Sequence, residues 1–144
     1  MERIRVEIVG TDARVPRYAS PQAAGADIHA SLDAPLEILP GDTALIPTGL
    51  QLAIPAGYEG QIRPRSGLAL NQGLTVLNAP GTIDSDYRGE LKILLINHGK
   101  KPAMIHPGDR IAQIVFAPAV QAEFVPVSEL CGSERGAGGF GSTG

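Results

Sequence analysis

The chain has 144 residues, 43% of them hydrophobic but only 4% aromatic and none tryptophan, which predicts one domain with an aliphatic core of Val, Ile, Leu and Ala. A formal net charge of −3 excludes the broadly basic surface that attracts nucleic acid, so an anionic ligand would need local cations. Eighteen Gly and twelve Pro interrupt the chain too often for long helices and favour short strands joined by tight turns, hence an all-β fold.

At the N-terminus, Ile4, Val6 and Ile8 alternate with charged residues across 3–9, the period of a strand with one buried face. No apolar run there has the length of a signal peptide or membrane span, so a soluble cytoplasmic protein with no membrane partner is expected. Further strands are predicted at 37–39, 43–47, 49–54, 59–63, 75–77, 91–97, 103–105, 111–118 and 122–126, each bounded by Pro, Gly or Asn. So many short strands suggest a sandwich or jelly roll.

Two segments look alike: Ile38-Leu39-Pro40-Gly41-Asp42 and Ile105-His106-Pro107-Gly108-Asp109. In both, Pro then Gly suits the central positions of a type II turn, and each turn is expected to close a hairpin. Chance reuse of a common turn and a true internal duplication explain the likeness equally well. The one helical stretch begins at Ser66, a residue able to cap, continues through Leu68, Ala69 and Leu70, and ends at Gly73. Its unpaired first amides would suit a phosphate. From Cys131 onward the pattern dissolves into a Gly-rich tail, so the chain divides into a β domain over 1–130 and a flexible tail over 131–144. Cys131 is the only cysteine and has no Cys/His cluster around it, which leaves a passive thiol.

Three segments and the tail carry chemistry. Gly81-Thr82-Ile83-Asp84-Ser85-Asp86-Tyr87-Arg88-Gly89-Glu90 reads as a hairpin between the strands at 75–77 and 91–97. Asp84, placed after apolar Ile83, is expected to be partly shielded from solvent and able to take a proton from water; an Asp-rich bend is also an ordinary turn. Pro64-Arg65-Ser66-Gly67 brings a guanidinium, a hydroxyl and a helix-start amide within three residues, the donor types of phosphate recognition, and also those of a capped helix with a surface Arg. Gly108-Asp109-Arg110-Ile111-Ala112-Gln113 sets a polar Gln113 in an apolar strand, facing either a cleft or solvent. In the tail, Gly136 and Gly141 have P-loop spacing, but Ser142 stands where that motif needs Lys and no helix follows. Closely spaced Gly still lets amides wrap an anion, Arg135 adds charge, and Phe140 has no core to join, which suits stacking.

In order along the chain, Ala24-Gly25-Ala26-Asp27-Ile28, Pro64-Arg65-Ser66-Gly67-Leu68, the stretch from Gly81 to Glu90, Gly108 to Gln113 and the Gly-rich tail strongly resemble the five motifs of the trimeric dUTP pyrophosphatase (dUTPase) family. The likeness spans nearly the whole chain. It implies a jelly-roll-like (β-clip) barrel with one short helix, assembled as a homotrimer whose active sites lie at subunit contacts. The reaction it implies is hydrolysis of dUTP to dUMP and pyrophosphate by in-line attack of water at the α-phosphorus, which keeps uracil out of DNA and supplies dUMP for thymidylate synthesis. On that pattern Asp84 holds the water, and Arg65, Ser66, Gly67 and Gln113 contact phosphates. Asn78 and the backbone of Thr82 and Ile83 read uracil, with Lys92 close by, and Tyr87 packs on the deoxyribose to exclude UTP. Arg135 meets the γ-phosphate, Phe140 covers the uracil once the tail closes, Ser142 and Thr143 add phosphate contacts, and Gly141 is a further substrate-binding position.

The resemblance also implies Mg²⁺ held by the substrate phosphates rather than directly by protein. Asp27 is either a contact to metal-bound water or a structural residue near the site, and His29, His98 and His106 are isolated. A dCTP deaminase of the same fold is a rival, disfavoured because its catalytic Glu falls where this chain has Leu94. A non-catalytic nucleotide-binding trimer is the rival from another class, and Asp84 with a complete tail argues against it.

Overall fold

The computed structural model describes residues 2–142. Its strands in chain order are β1 (Glu7–Val9), β2 (Arg17–Tyr18), β3 (Ala26–His29), β4 (Leu36–Ile38), β5 (Thr43–Ala53), β6 (Tyr58–Arg63), β7 (Leu74–Val76), β8 (Gly81–Ile83), β9 (Leu91–Asn97), β10 (Ala103–Ile105) and β11 (Arg110–Pro118). One helix, α1 (Ser66–Gln72), separates β6 from β7, and a single 3₁₀ turn covers Asp12–Arg14. A four-stranded sheet in the order β1-β5-β9-β7 and a five-stranded sheet in the order β2-β3-β11-β6-β8 enclose the core, and β10 and β4 form a two-stranded ribbon. All pairings are antiparallel, in a jelly-roll-like arrangement. Alternation fills the space between the sheets: Ile46, Leu50, Leu52, Ile62, Ile93, Leu95, Ile111 and Ile114 are buried, and the core is aliphatic, as the composition predicts.

Several predicted elements change in extent. The N-terminal strand is confined to Glu7–Val9, because only these residues find a partner, in β5. The strands predicted at 43–47 and 49–54 are one strand, β5, which crosses from pairing with β9 to pairing with β1 through a break in register between Pro47 and Leu50. Thr48 satisfies that break. Its buried hydroxyl donates to the carbonyl of Leu91 and accepts from the amide of Leu50, while Gly49 takes φ 70°. Residues 122–126 form no strand, since the chain leaves β11 at Pro118 and finds no neighbour. The segment expected as a simple hairpin between β7 and β9 instead supplies β8 to the other sheet, where Gly81 lies opposite Ile62.

Both Pro-Gly turns form. Asp42 N–H donates to Leu39 O (3.0 Å) and Asp109 N–H to His106 O (3.1 Å), with Gly41 and Gly108 at φ 83° and 84°. Neither closes a hairpin; each passes the chain from the β4/β10 ribbon into a different sheet. The likeness between the two segments extends well beyond the turns. They pair with one another about a local two-fold, Ile38 opposite Ala103 and Leu36 opposite Ile105. Gly41 donates to Asn97 O, whose N–H donates to Asp42 O, and Gly108 and Ala30 with Asp109 repeat that arrangement. Thr43 lies opposite Ile96 in one half as Arg110 lies opposite His29 in the other. The structure therefore favours an internal repeat over a chance turn.

Candidate active site

Two groups of predicted site residues are built by different elements. The first surrounds Asp27, on β3. Asp27 lies opposite Gln113 of β11, and Gln113 lies opposite Arg63 at the end of β6, one residue before the Pro64-Arg65 entry to α1. Asp27 accepts from Arg65 Nε through Oδ1 (3.0 Å) and from Arg110 Nη1 through Oδ2 (3.3 Å). The Gln113 side-chain amide donates to Pro64 O (2.9 Å), tying β11 to the start of the helix. A Cβ on Gly25 would collide with that side chain, so Gly25 is what lets Gln113 lie across β3. Arg65, not Ser66, occupies the capping position, in extended conformation and without a side-chain cap bond; Ser66 is the first helical residue. Gly67 has open space where a side chain would stand and no positive φ, so the fold itself makes no demand for glycine there.

The second group lines a cleft of about 330 Å³ formed by Thr82, Ile83, Asp84, Tyr87, Glu90, Leu91 and Lys92. Asp84 directly follows β8 and is exposed rather than shielded, because the cleft is open on one side in a single chain. Its carbonyl accepts from Tyr87 N–H (3.2 Å), and Arg88 Nη1 locks the bend by donating to Ser85 O (2.7 Å). The Tyr87 ring rests on Gly89, where a Cβ would strike it, and its hydroxyl donates to Glu90 O (2.9 Å). Glu90 reaches two ways, accepting from Gly49 N–H through Oε1 (3.1 Å) and facing Lys92 Nζ through Oε2 (3.8 Å). Asn78, before β8, lies across Gly81, whose missing Cβ leaves room for its amide.

Arg65, Ser66, Gly67, Asn78 and Gln113 do not line this cleft, and neither does the tail. Arg135 is turned onto its own loop, Nε donating to Gly138 O (2.7 Å), and Ser142 N–H donates to Gly139 O. Phe140 is fully exposed with φ 50°, and Gly141 follows at φ 83°. Thr143 lies outside the described residues. A larger groove of about 1100 Å³ beside the N-terminal strand, lined by Ile4, Val6, Ile8, Tyr18, Leu52 and Phe116, contains none of the predicted site residues.

Local cations gather on and beside β3 despite the net negative charge: Arg65 and Arg110 hold Asp27, while Arg14, which donates to the carbonyl of Ala30, and Arg17 join Arg110 in acting on the pKa of His29. Burial lowers that pKa most, and Arg110, Arg14 and Arg17 lower it further against the opposing pull of Asp27. Among the described residues no group of three His, Cys, Asp or Glu side chains stands close enough to hold a metal ion. Sequence reasoning assigned no role to Arg110 or Glu90. Under strict strand alternation Arg110 and Gln113, three residues apart, face opposite ways; a bulge reverses this.

The family model described as dUTPase matches residues 11–144. The chain belongs to the dUTPase family. A deoxyuridine 5'-triphosphate nucleotidohydrolase of Desulfotalea psychrophila is 62% identical to this dUTPase-family chain over 130 residues, which cover 90% of it and 87% of the relative. A dUTPase of Staphylococcus bacteriophage 80alpha, solved with dUpNHpp, is similar in structure with a TM-score of 0.86 at 27% identity, over 97% of this chain and 98% of that one. A dUTPase from phage phi11 of S. aureus, whose structure concerns the coordination of a structural Mg(II) ion, shares the fold with a TM-score of 0.78 at 24% identity, over 88% and 99% of the two chains.

Proposed function

We propose that this chain hydrolyses dUTP to dUMP and pyrophosphate, and that Asp84 is the general base. The observation that carries the reading is Asp84 at the mouth of a cleft walled by Tyr87 and Lys92, in a dUTPase-family chain 62% identical to a named dUTP nucleotidohydrolase. Asp84 takes a proton from a water molecule. The water oxygen bonds to the α-phosphorus as the bond from that phosphorus to the bridging oxygen breaks, and pyrophosphate leaves. Arg65, Ser66, Gly67 and Gln113 receive the phosphates. Ser66 and Gly67, exposed in the first turn of α1, and a glycine that the fold does not require support this role. Asn78 with the backbone of Thr82 and Ile83 reads the uracil, and Tyr87, held flat on Gly89, walls the sugar so that a 2′-hydroxyl has no room.

The phosphate group and the cleft come together between subunits of a homotrimer, with the tail's Arg135, Phe140, Gly141, Ser142 and Thr143 closing over a site. Support for this lies in their separation within one chain and in a segment from Ala119 to Leu130 that exposes Val120, Phe124 and Leu130 with nothing to cover them. Among the described residues no three ligating side chains cluster to form a resident metal site, and both oxygens of Asp27 are engaged by arginines. Magnesium accordingly enters as counter-ion of the triphosphate. Deamination of dCTP is not favoured: Leu94 sits in β9 opposite Leu45, an apolar pair unable to move protons.

The deciding experiment compares pyrophosphate release from dUTP, UTP, dTTP and dCTP by wild type and by Asp84→Asn. Wild type should act on dUTP alone, and the variant should bind dUTP while losing turnover by about 10²-fold or more. Undiminished release by Asp84→Asn removes Asp84 from the role.

A further inference from the structure

We propose that Arg110 is a positioning residue for this reaction, acting through the carboxylate of Asp27 to hold the Arg65 guanidinium in place for phosphate. This rests on the assignment of Arg65 as a phosphate contact. The geometry is a carboxylate shared between two guanidiniums. Asp27, with its side chain 15% exposed, gives Oδ1 to Arg65 Nε and Oδ2 to Arg110 Nη1. Arg65 is thereby held by Nε alone; among the described residues neither of its Nη atoms has a protein partner, so the two-pronged end of the fork is free for an anion.

Charge explains why the second arginine is needed. Asp27 alone would cancel the charge of Arg65 and leave the pair with no net attraction for a phosphate, since the carboxylate is little exposed and poorly screened. Two guanidiniums around one carboxylate leave a surplus of one positive charge where an anion must dock. Arg110, about half exposed, is the partner that can remain on Asp27 while Arg65 turns its fork outward.

The internal repeat shows that the fold does not require this cluster. Where one half places Gln113 opposite Asp27, the other places Leu45 opposite Leu94, and where one has Arg110 opposite His29, the other has Thr43 opposite Ile96. The same backbone arrangement thus accepts apolar pairs. Moreover, the register from Thr43 to Leu45 runs unbroken, whereas β11 shifts between Arg110 and Ala112, burying Ile111 and Ala112 in succession. That extra residue is a bulge, and its effect is to bring Arg110 onto the face shared by Gln113, Asp27 and His29. The departure from the repeat lies where the charges lie and aims Arg110 at Asp27.

The test is a double-mutant cycle on the full chain, with thermal midpoint and oligomer mass recorded for each variant. Arg110→Met should fold as wild type and lower kcat/KM for dUTP by about tenfold or more, Arg110→Lys should recover most of the loss, and in an Asp27→Asn background Arg110→Met should cost about threefold or less. Arginine Nε–H exchange, followed by NMR without substrate, reads the positioning directly: the Arg65 proton should exchange slowly in wild type and markedly faster in Arg110→Met and in Asp27→Asn. An equal kinetic effect of Arg110→Met in both backgrounds, or unchanged Arg65 exchange in Arg110→Met, overturns the proposal. If wild type fails to hydrolyse dUTP, the functional reading fails on its own, and the exchange measurement still decides the positioning.

Discussion

His29 shows how the charge around Asp27 constrains its neighbours. Its Nδ1 is buried without a hydrogen-bond partner, and burial holds its pKa below the ordinary 6.5. The native pKa therefore lies below the unfolded one, and between the two values the unfolded chain binds more protons. Stability should be flat above pH 6.5 as far as His29 is concerned and fall as the pH drops from 6.5 toward the lowered native value. Replacing His29 with Gln, which cannot charge, should flatten that decline. Urea midpoints at about pH 5 and about pH 7.5 measure it, and parallel behaviour of wild type and His29→Gln would contradict the argument. At the same scale, Gly25 and Gly89 are backbone positions kept bare so that Gln113 and Tyr87 can lie flat on them.

Among the elements, α1 shows most clearly how the chain makes a local structure serve a site. None of its residues is fully buried; Leu68 alone packs against the core, and the rest of the hold is at the helix ends. At its C-terminus Gly73 takes φ 69°, its N–H donates to Ala69 O and Leu68 O, and its carbonyl accepts from His98 N–H (2.9 Å). A Cβ there would stand against the Gly99 backbone, only 2.7 Å from its Cα. Gly73→Ala should consequently destabilise the protein by about 2–4 kcal/mol, combining an unfavourable backbone conformation with a backbone clash that no rotamer relieves. Urea unfolding checks this; a loss below about 0.5 kcal/mol would mean that helix and loop separate freely. The helix and its end at Gly73 were legible because a left-handed C-cap is a local device, whereas the expected Ser66 cap does not form. So were β9 and β10, whose alternation needs no knowledge of partners. By contrast β2, β3 and β8 were missed, since their short, mixed sequences become strands only through neighbours distant in the chain, such as β11 for β3 and β6 for β8. For the same reason the alternation at 122–126 misled: apolar periodicity makes a strand only where an edge is available. In the site, residue types were readable, but the reach of Arg110 to Asp27 was not, because a bulge cannot be seen in a periodic pattern.

At the scale of the whole molecule, the described chain places Arg65, Ser66 and Gln113 apart from the cleft beside Asp84, and its described tail residues hydrogen-bond only within the tail. The Arg135 guanidinium donates within its own loop, and Phe140 shows its entire ring to solvent. A long exposed aromatic and a self-satisfied arginine on a glycine hinge are suited to rearrange when an anion offers Arg135 a stronger acceptor than a carbonyl. Closure would exclude water around the triphosphate and strengthen every charge interaction inside. Removal of residues 135–144 should therefore leave the β domain folded, since every buried side chain among the described residues lies before Pro118, and should leave the number of subunits in the proposed trimer unchanged by light scattering. It should lower kcat/KM for dUTP by about 10²-fold or more, with the fall mainly in kcat if closure completes the site after binding. Full activity in the truncated chain would show that the donors of the β domain suffice and that the tail plays no part in turnover. Loss of the trimer would instead place residues 135–144 among the contacts that hold the assembly, and the activity would then have to be judged on chains that carry the tail with Arg135→Ala and Phe140→Ala.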